Sequence, residues 1–132
     1  MKLVPPINAL VASMTLSQAA SAQLAAADCE FTRICQVQML CNSDVLAVRY
    51  GVDLTTGEGF AEGNNGRVEA IVFRGYAALS FVEVLLSGAV QTTTINISGH
   101  ALHSRHTTFG GNSPESMVPA QYRGECELSG WP

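Results

Sequence analysis

Between Val45 and Leu54, apolar residues stand at Val45, Leu46, Val48, Tyr50, Val52 and Leu54, the two-residue period of a strand with one buried face. Similar extended runs recur down the chain, each bounded by turn chemistry. Phe31-Thr32-Arg33-Ile34 is β-favouring. Thr55 to Gly66 is rich in glycine and polar residues and predicts a loop. It ends in Asn65-Gly66, a pair that supplies the positive φ angles of a tight hairpin. Val68 to Phe73 predicts the next strand, turned or bulged at Arg74-Gly75.

Tyr76 to Leu86 fits two periods. Leu79, Val82 and Leu86 have helical spacing, whereas Val82, Val84 and Leu86 have strand spacing. The β-branched neighbours and the flanking turns, including Ser87-Gly88, favour a strand. Val90 to Ile97 is threonine-rich and β-branched, and His100 to Phe109 continues in extended fashion. Phe109-Gly110-Gly111-Asn112-Ser113-Pro114 is a break. Pro119 to Cys126 predicts the last strand, and Leu128 to Pro132 a loose tail. About seven short strands without alternating long helices predict an all-β fold, a small antiparallel sandwich or barrel.

The first residues differ in kind. Met1-Lys2 is a short positive start, Leu3 to Leu16 is mostly apolar, and Ser17 to Ala27 is rich in alanine and serine. This reads as a signal peptide over 1–22, ending at the A-x-A of Ala20 and Ala22; a second A-x-A at Ala25 and Ala27 places cleavage as late as 27. Pro5, Pro6 and Asn8 break the apolar stretch, which is too short to span a bilayer. The expected organisation is a leader, a single β-domain over 23–127 and a tail over 128–132, in the periplasm or secreted.

Loss of the leader removes Lys2, the sole lysine, and leaves six arginines against eleven acids. The net charge is then about −5, which argues against nucleic acid or anionic membrane as a partner. A chain that is 47% hydrophobic and only 14% charged is not of disordered composition.

Export makes the four cysteines candidates for disulfides. They allow three pairings. Cys29, Cys35 and Cys41 are evenly spaced, and neither intervening segment holds glycine or proline, so geometry does not separate the pairings. The favoured set is a local Cys35–Cys41 clip with a long Cys29–Cys126 staple; Cys29–Cys41 with Cys35–Cys126 is its rival. No C-x-x-C occurs, which argues against a zinc knuckle or a redox pair.

His100, His103 and His106 would share one face of a helix. On a strand His103 points away from the other two, which would lie about 20 Å apart, too far to share an ion. They remain the metal candidates of the chain, against the plainer reading of a polar strand near a sheet edge, with Arg105 and a histidine pairing to Glu125 or Glu127. Asp53, Glu58, Glu62 and Asn64 put oxygen ligands on or near one loop, without the spacing of a twelve-residue calcium loop. No G-x-S-x-G elbow occurs, and no phosphate-binding glycine loop stands in a strand–helix context.

The stretch from Ser98 to Thr107, that from Val118 to Glu127, and the spacing of Cys29, Cys35 and Cys41 resemble small uncharacterised exported proteins of alphaproteobacteria. The resemblance covers about a third of the mature chain. It implies export, a cysteine-clipped β-domain and the Cys29–Cys126 staple. Ser98-Gly99 and a cysteine-bounded barrel also resemble the small β-barrel lysozyme inhibitors of bacterial envelopes, a likeness that assigns no inhibitory residue. The expected function is a non-catalytic envelope domain, without a cofactor, that binds a protein or a cell-wall component. The alternatives are an inhibitor of a lytic enzyme such as lysozyme and a metal-dependent enzyme built on the His100/His103/His106 segment.

Overall fold

The computed structural model describes residues 23–34, 45–108 and 117–131. The predicted leader, the Cys35–Cys41 clip and the Phe109–Pro114 break lie outside them. Eight antiparallel strands and no helix make up the described residues: β1 (Leu24–Arg33), β2 (Val45–Asp53), β3 (Gly59–Gly63), β4 (Gly66–Arg74), β5 (Ala78–Val84), β6 (Val90–Asn96), β7 (His100–Thr108) and β8 (Met117–Ser129). Each strand pairs with the next and β8 pairs back onto β1, so the sheet closes into a barrel. Closure leaves no edge strand. The polar edge expected at the histidines is therefore absent, because β7 is paired on both sides, to β6 and β8.

The strand count exceeds the expected seven by β3. Its sequence, Gly-Phe-Ala-Glu-Gly, carries no period and two glycines. Long-range pairing makes it a strand: Tyr50 lies opposite Ala61 on one side and Val68 lies opposite Ala61 on the other. Gly59 is required there, since an added Cβ would meet the Val72 side chain. The β3–β4 link is Asn64-Asn65 between the paired Gly63 and Gly66. Gly66 has φ of +98°, and neither Asn64 nor Asn65 has positive φ. That is the pattern of a turn closed by a bulge glycine, one residue out of phase with a hairpin centred on Asn65-Gly66.

Alternation sorts the side chains. In β1, Ala25, Ala27, Cys29 and Phe31 are buried, while Asp28, Glu30 and Thr32 are exposed. In β5, Leu79, Phe81 and Glu83 turn inward and the segment is a strand, whereas Tyr76 and Leu86, outside it, are fully exposed. The middle of the barrel is filled by Phe31, Tyr50, Leu79, Phe81, Thr93, Ile95 and His103. Gly124 makes room for Phe31: a Cβ there would lie 2.5 Å from the ring and 2.7 Å from the Glu30 carbonyl.

The last strand runs past the expected boundary at residue 127. Leu128 pairs with Ala27 and Ser129 with Ala26. Leu128 and Trp131 pack against the core, so Leu128 and Ser129, placed in a loose tail, belong to the last strand of the barrel.

Candidate functional site

Cys29 and Cys126 are direct partners across the β1–β8 pairing, and a disulfide joins them. Both side chains face inward from their strands, and Cys29 is buried. The bridge locks the pairing that closes the barrel. It leaves these two sulfurs no role as a nucleophile or metal ligand.

The three histidines separate as a strand requires. His100 and His106 are exposed on the outer face, while His103 is buried in the interior. They do not converge, and among the described residues no group of three or more His, Cys, Asp or Glu side chains is placed to hold a metal ion. His103 belongs to a polar chain inside an otherwise apolar core. Tyr50 Oη lies 2.8 Å from Thr93 Oγ1, and Thr93 Oγ1 lies 2.7 Å from His103 Nδ1. Phe31 and Tyr122 pack on the imidazole with ring centroids 5.6 Å away. Burial, and then the Arg105 charge, hold the His103 pKa down at about 4, so the ring is neutral at neutral pH. Burial pushes the Tyr50 hydroxyl up and keeps it protonated.

One layer from His103 the interior turns polar. Glu83 lies opposite Gln91, and Gln91 lies opposite Arg105. Burial raises the Glu83 pKa. Arg105, expected to reach Glu125 or Glu127 on the surface, instead shares the inward face of His103, and its Nε is buried. Thr93, Tyr50, Glu83 and Gln91 were not singled out by sequence motifs. The strand period gives each a face, but only the closed register brings their three strands, β2, β5 and β6, to one interior.

The outer wall carries a different arrangement. A groove of about 780 Å³ is bordered by Asp28, Glu30, Arg49, Glu62, Glu125 and Glu127, with Ala47, Cys29 and Cys126 among its lining. Cross-strand register sets the charges in rows. Glu127 lies opposite Asp28, Asp28 opposite Arg49, Arg49 opposite Glu62, and Glu62 opposite Arg67. Arg49 holds Asp28 through two bonds of 2.7 and 2.9 Å, and Arg67 holds Glu62 at 2.7 Å while stacking on Phe60. In the adjacent row Glu30 lies directly opposite Glu125, and His100 opposite Glu125 on its other side. Like charges so placed repel.

The loop acids do not gather around an ion. Asp53 Oδ1 accepts from the Thr55 and Thr56 amides and shapes the β2–β3 turn, while Glu62 is engaged by Arg67. Asn96 Oδ1 accepts from the Ser98 and His100 amides, so Ser98-Gly99-His100 is a turn built around Gly99 at φ of +84°. In comparisons with protein-family models, curated proteins and solved structures, nothing was found to match the chain.

Proposed function

We propose that the chain is an exported, non-catalytic binding domain whose outer wall engages a cationic partner, a protein or a cell-wall component. The groove on β8, β1, β2 and β3 carries this reading. The middle of the barrel is filled, which leaves the outer wall as the place with room for a large partner. Two of the border acids are already neutralised by arginines, while Glu30, Glu125 and Glu127 have no arginine opposite them. A negative concave surface attracts and orients positive partners. The lining offers no hydroxyl, thiol or imidazole as a nucleophile.

The distribution of charge supports an aqueous setting. Asp28, Glu30, Arg49, Arg67, Glu69, Arg123, Glu125 and Glu127 stand on the exposed face of the wall. On a lipid-facing barrel surface, charged groups near mid-membrane cost about 2–4 kcal/mol each for the basic ones. Export fits the oxidised Cys29–Cys126 pair. Of the two A-x-A sites, the one ending at Ala22 is favoured. Cleavage after Ala27 would remove Ala25, Ala26 and Ala27, which are buried ladder residues of β1.

The sharper form of this reading is inhibition of a basic lytic enzyme such as lysozyme, and it is favoured by the same acidic groove. Titration calorimetry with lysozyme, and with solubilised wall fragments, tests both. Binding should weaken as salt is added, and Glu30→Lys with Glu125→Lys should abolish it. Loss of lysozyme activity on mixing selects the inhibitor. Binding indifferent to those reversals, or none to either probe, overturns the groove as the site.

A further inference from the structure

Every strand of the barrel has two neighbours, but β2 outruns β3. The β2–β3 register ends at Arg49 opposite Glu62, whereas β2 begins at Val45. On the other side β1 stays paired throughout this stretch, with Cys29 opposite Val48, Glu30 opposite Ala47 and Thr32 opposite Val45. The first residues of β2 are therefore held on one side only.

Alternation decides which of their backbone groups are left over. Leu54 N–H donates to the Gln23 carbonyl on the β1 side, and Asp53 N–H donates to the Glu58 carbonyl on the β3 side. The register with β1 runs without a break, so the two directions alternate back along the strand. Val52, Tyr50, Val48 and Leu46 turn their N–H and C=O groups to β1. Gly51, Arg49, Ala47 and Val45 turn theirs to β3. Arg49 meets Glu62 there, but Ala47 meets no strand, and among the described residues its amide and carbonyl form no hydrogen bond on that side. The space beside it is open. Ala47 is exposed and lines the acidic groove together with Val48, Gly63 and Asn64. A Cβ built on Gly63 would meet only the Ala47 carbonyl oxygen, at 3.9 Å. All residues lining the groove belong to the described stretches.

The charges are arranged around the same point. The cross-strand row through Ala47 continues to Glu30 and then to Glu125. Residues opposite one another share a face, so a side chain set opposite Ala47 on its vacant side lies in this row. It looks over a methyl group to Glu30, two strand spacings or about 10 Å away. An extended arginine and a glutamate together span that distance, and a guanidinium there relieves the repulsion between Glu30 and Glu125.

We propose that the groove receives an extended segment of a basic protein, which adds to β2 by backbone pairing at Ala47 and sets an arginine or lysine against Glu30. The proposal rests on the reading of the groove as the site of a cationic partner and names the form that partner takes. Backbone pairing supplies the register, and the acids select the side chain.

Calorimetry of the oxidised chain with a capped five-residue peptide of alternating threonine and arginine tests this. Its control is the same peptide N-methylated at the arginines, which keeps the charge but blocks the amides that would face β2. The plain peptide should bind and should slow hydrogen exchange at the Ala47 amide. Methylation should weaken binding by about tenfold or more. Ala47→Pro removes the donor without removing a bond to β1, and should weaken the plain peptide by a similar factor. If that variant does not fold, the methylated peptide carries the comparison. Equal affinity of the two peptides overturns strand addition and leaves a groove that attracts charge alone. Binding of neither peptide, by a protein that still binds lysozyme through Glu30 and Glu125, overturns it likewise. Binding of neither peptide nor lysozyme overturns the groove as well.

Discussion

Cys29 and Cys126 face each other across the seam between the first and last strands, with their Cα atoms 4.0 Å apart although they stand 97 positions apart in sequence. The bond acts on the longest-range strand pairing in the fold, since every other ladder joins neighbours in sequence. Cys126→Ala should therefore lower stability by about 2–5 kcal/mol, measured by denaturant unfolding under oxidising conditions. An unchanged midpoint would show that the β1–β8 ladder holds without the link.

Thr93 is the hinge of the interior hydrogen bonds. Thr93→Val keeps the shape but leaves Tyr50 Oη and His103 Nδ1 buried and unpaired, at an expected cost of about 2–4 kcal/mol. Thr93→Ser, which retains the hydroxyl, should recover most of that loss. Chemical denaturation of the two variants side by side measures the difference; equal losses would assign the effect to packing of the methyl group.

His103 should make the fold sensitive to acid. Its pKa falls from an ordinary 6.5 to about 4 in the barrel, by burial first and the Arg105 charge second. A depressed folded value means that the neutral ring stabilises the fold fully above about pH 6.5, and that this contribution is lost as pH falls through 4. Its size is on the order of 3 kcal/mol. Glu83, raised by burial, acts in the opposite sense: its contribution is full at low pH and is lost as pH rises through its raised value. Melting curves at pH 7 and pH 4 should show a smaller drop for His103→Gln than for the native chain. An equal drop would place the acid-sensitive group elsewhere.

Gly124 is needed for its lack of a side chain. Gly124→Ala puts a methyl group against the Phe31 ring and the Glu30 carbonyl, so either the ring shifts or the strands part. The expected cost is about 1–3 kcal/mol, read from the unfolding midpoint. Pairing this change with Phe31→Leu should recover part of it, as a smaller side chain yields the space.

The strand period was enough to make the fold legible in outline. Val45–Leu54 alternates and became β2, and the β-branched, threonine-rich run Val90–Ile97 became β6. Gly59–Gly63 was hidden because its strand character comes from β2 and β4, not from its own residues. Leu128 read as a tail because its partner, Ala27, lies a full chain length away. For the histidines, the period separated His103 from His100 and His106 correctly. It left open which face was the inside, since Ala101 and Leu102 are both apolar and adjacent. The relay through Thr93 and Tyr50 joins β7, β6 and β2, and no local pattern encodes such a meeting. The acidic rows were likewise invisible, because Glu30 and Glu125 become neighbours only when the barrel closes.

The position of the seam sets an order of events during synthesis. Cys29 emerges close to Cys35 and Cys41 and long before Cys126 is made. Its first available sulfur partners are thus the wrong ones for the finished architecture. Until β8 arrives, β1 presents an unsatisfied backbone border to any passing chain. A thiol-exchange catalyst that undoes premature cross-links would therefore decide how much of the newborn polypeptide reaches the closed form.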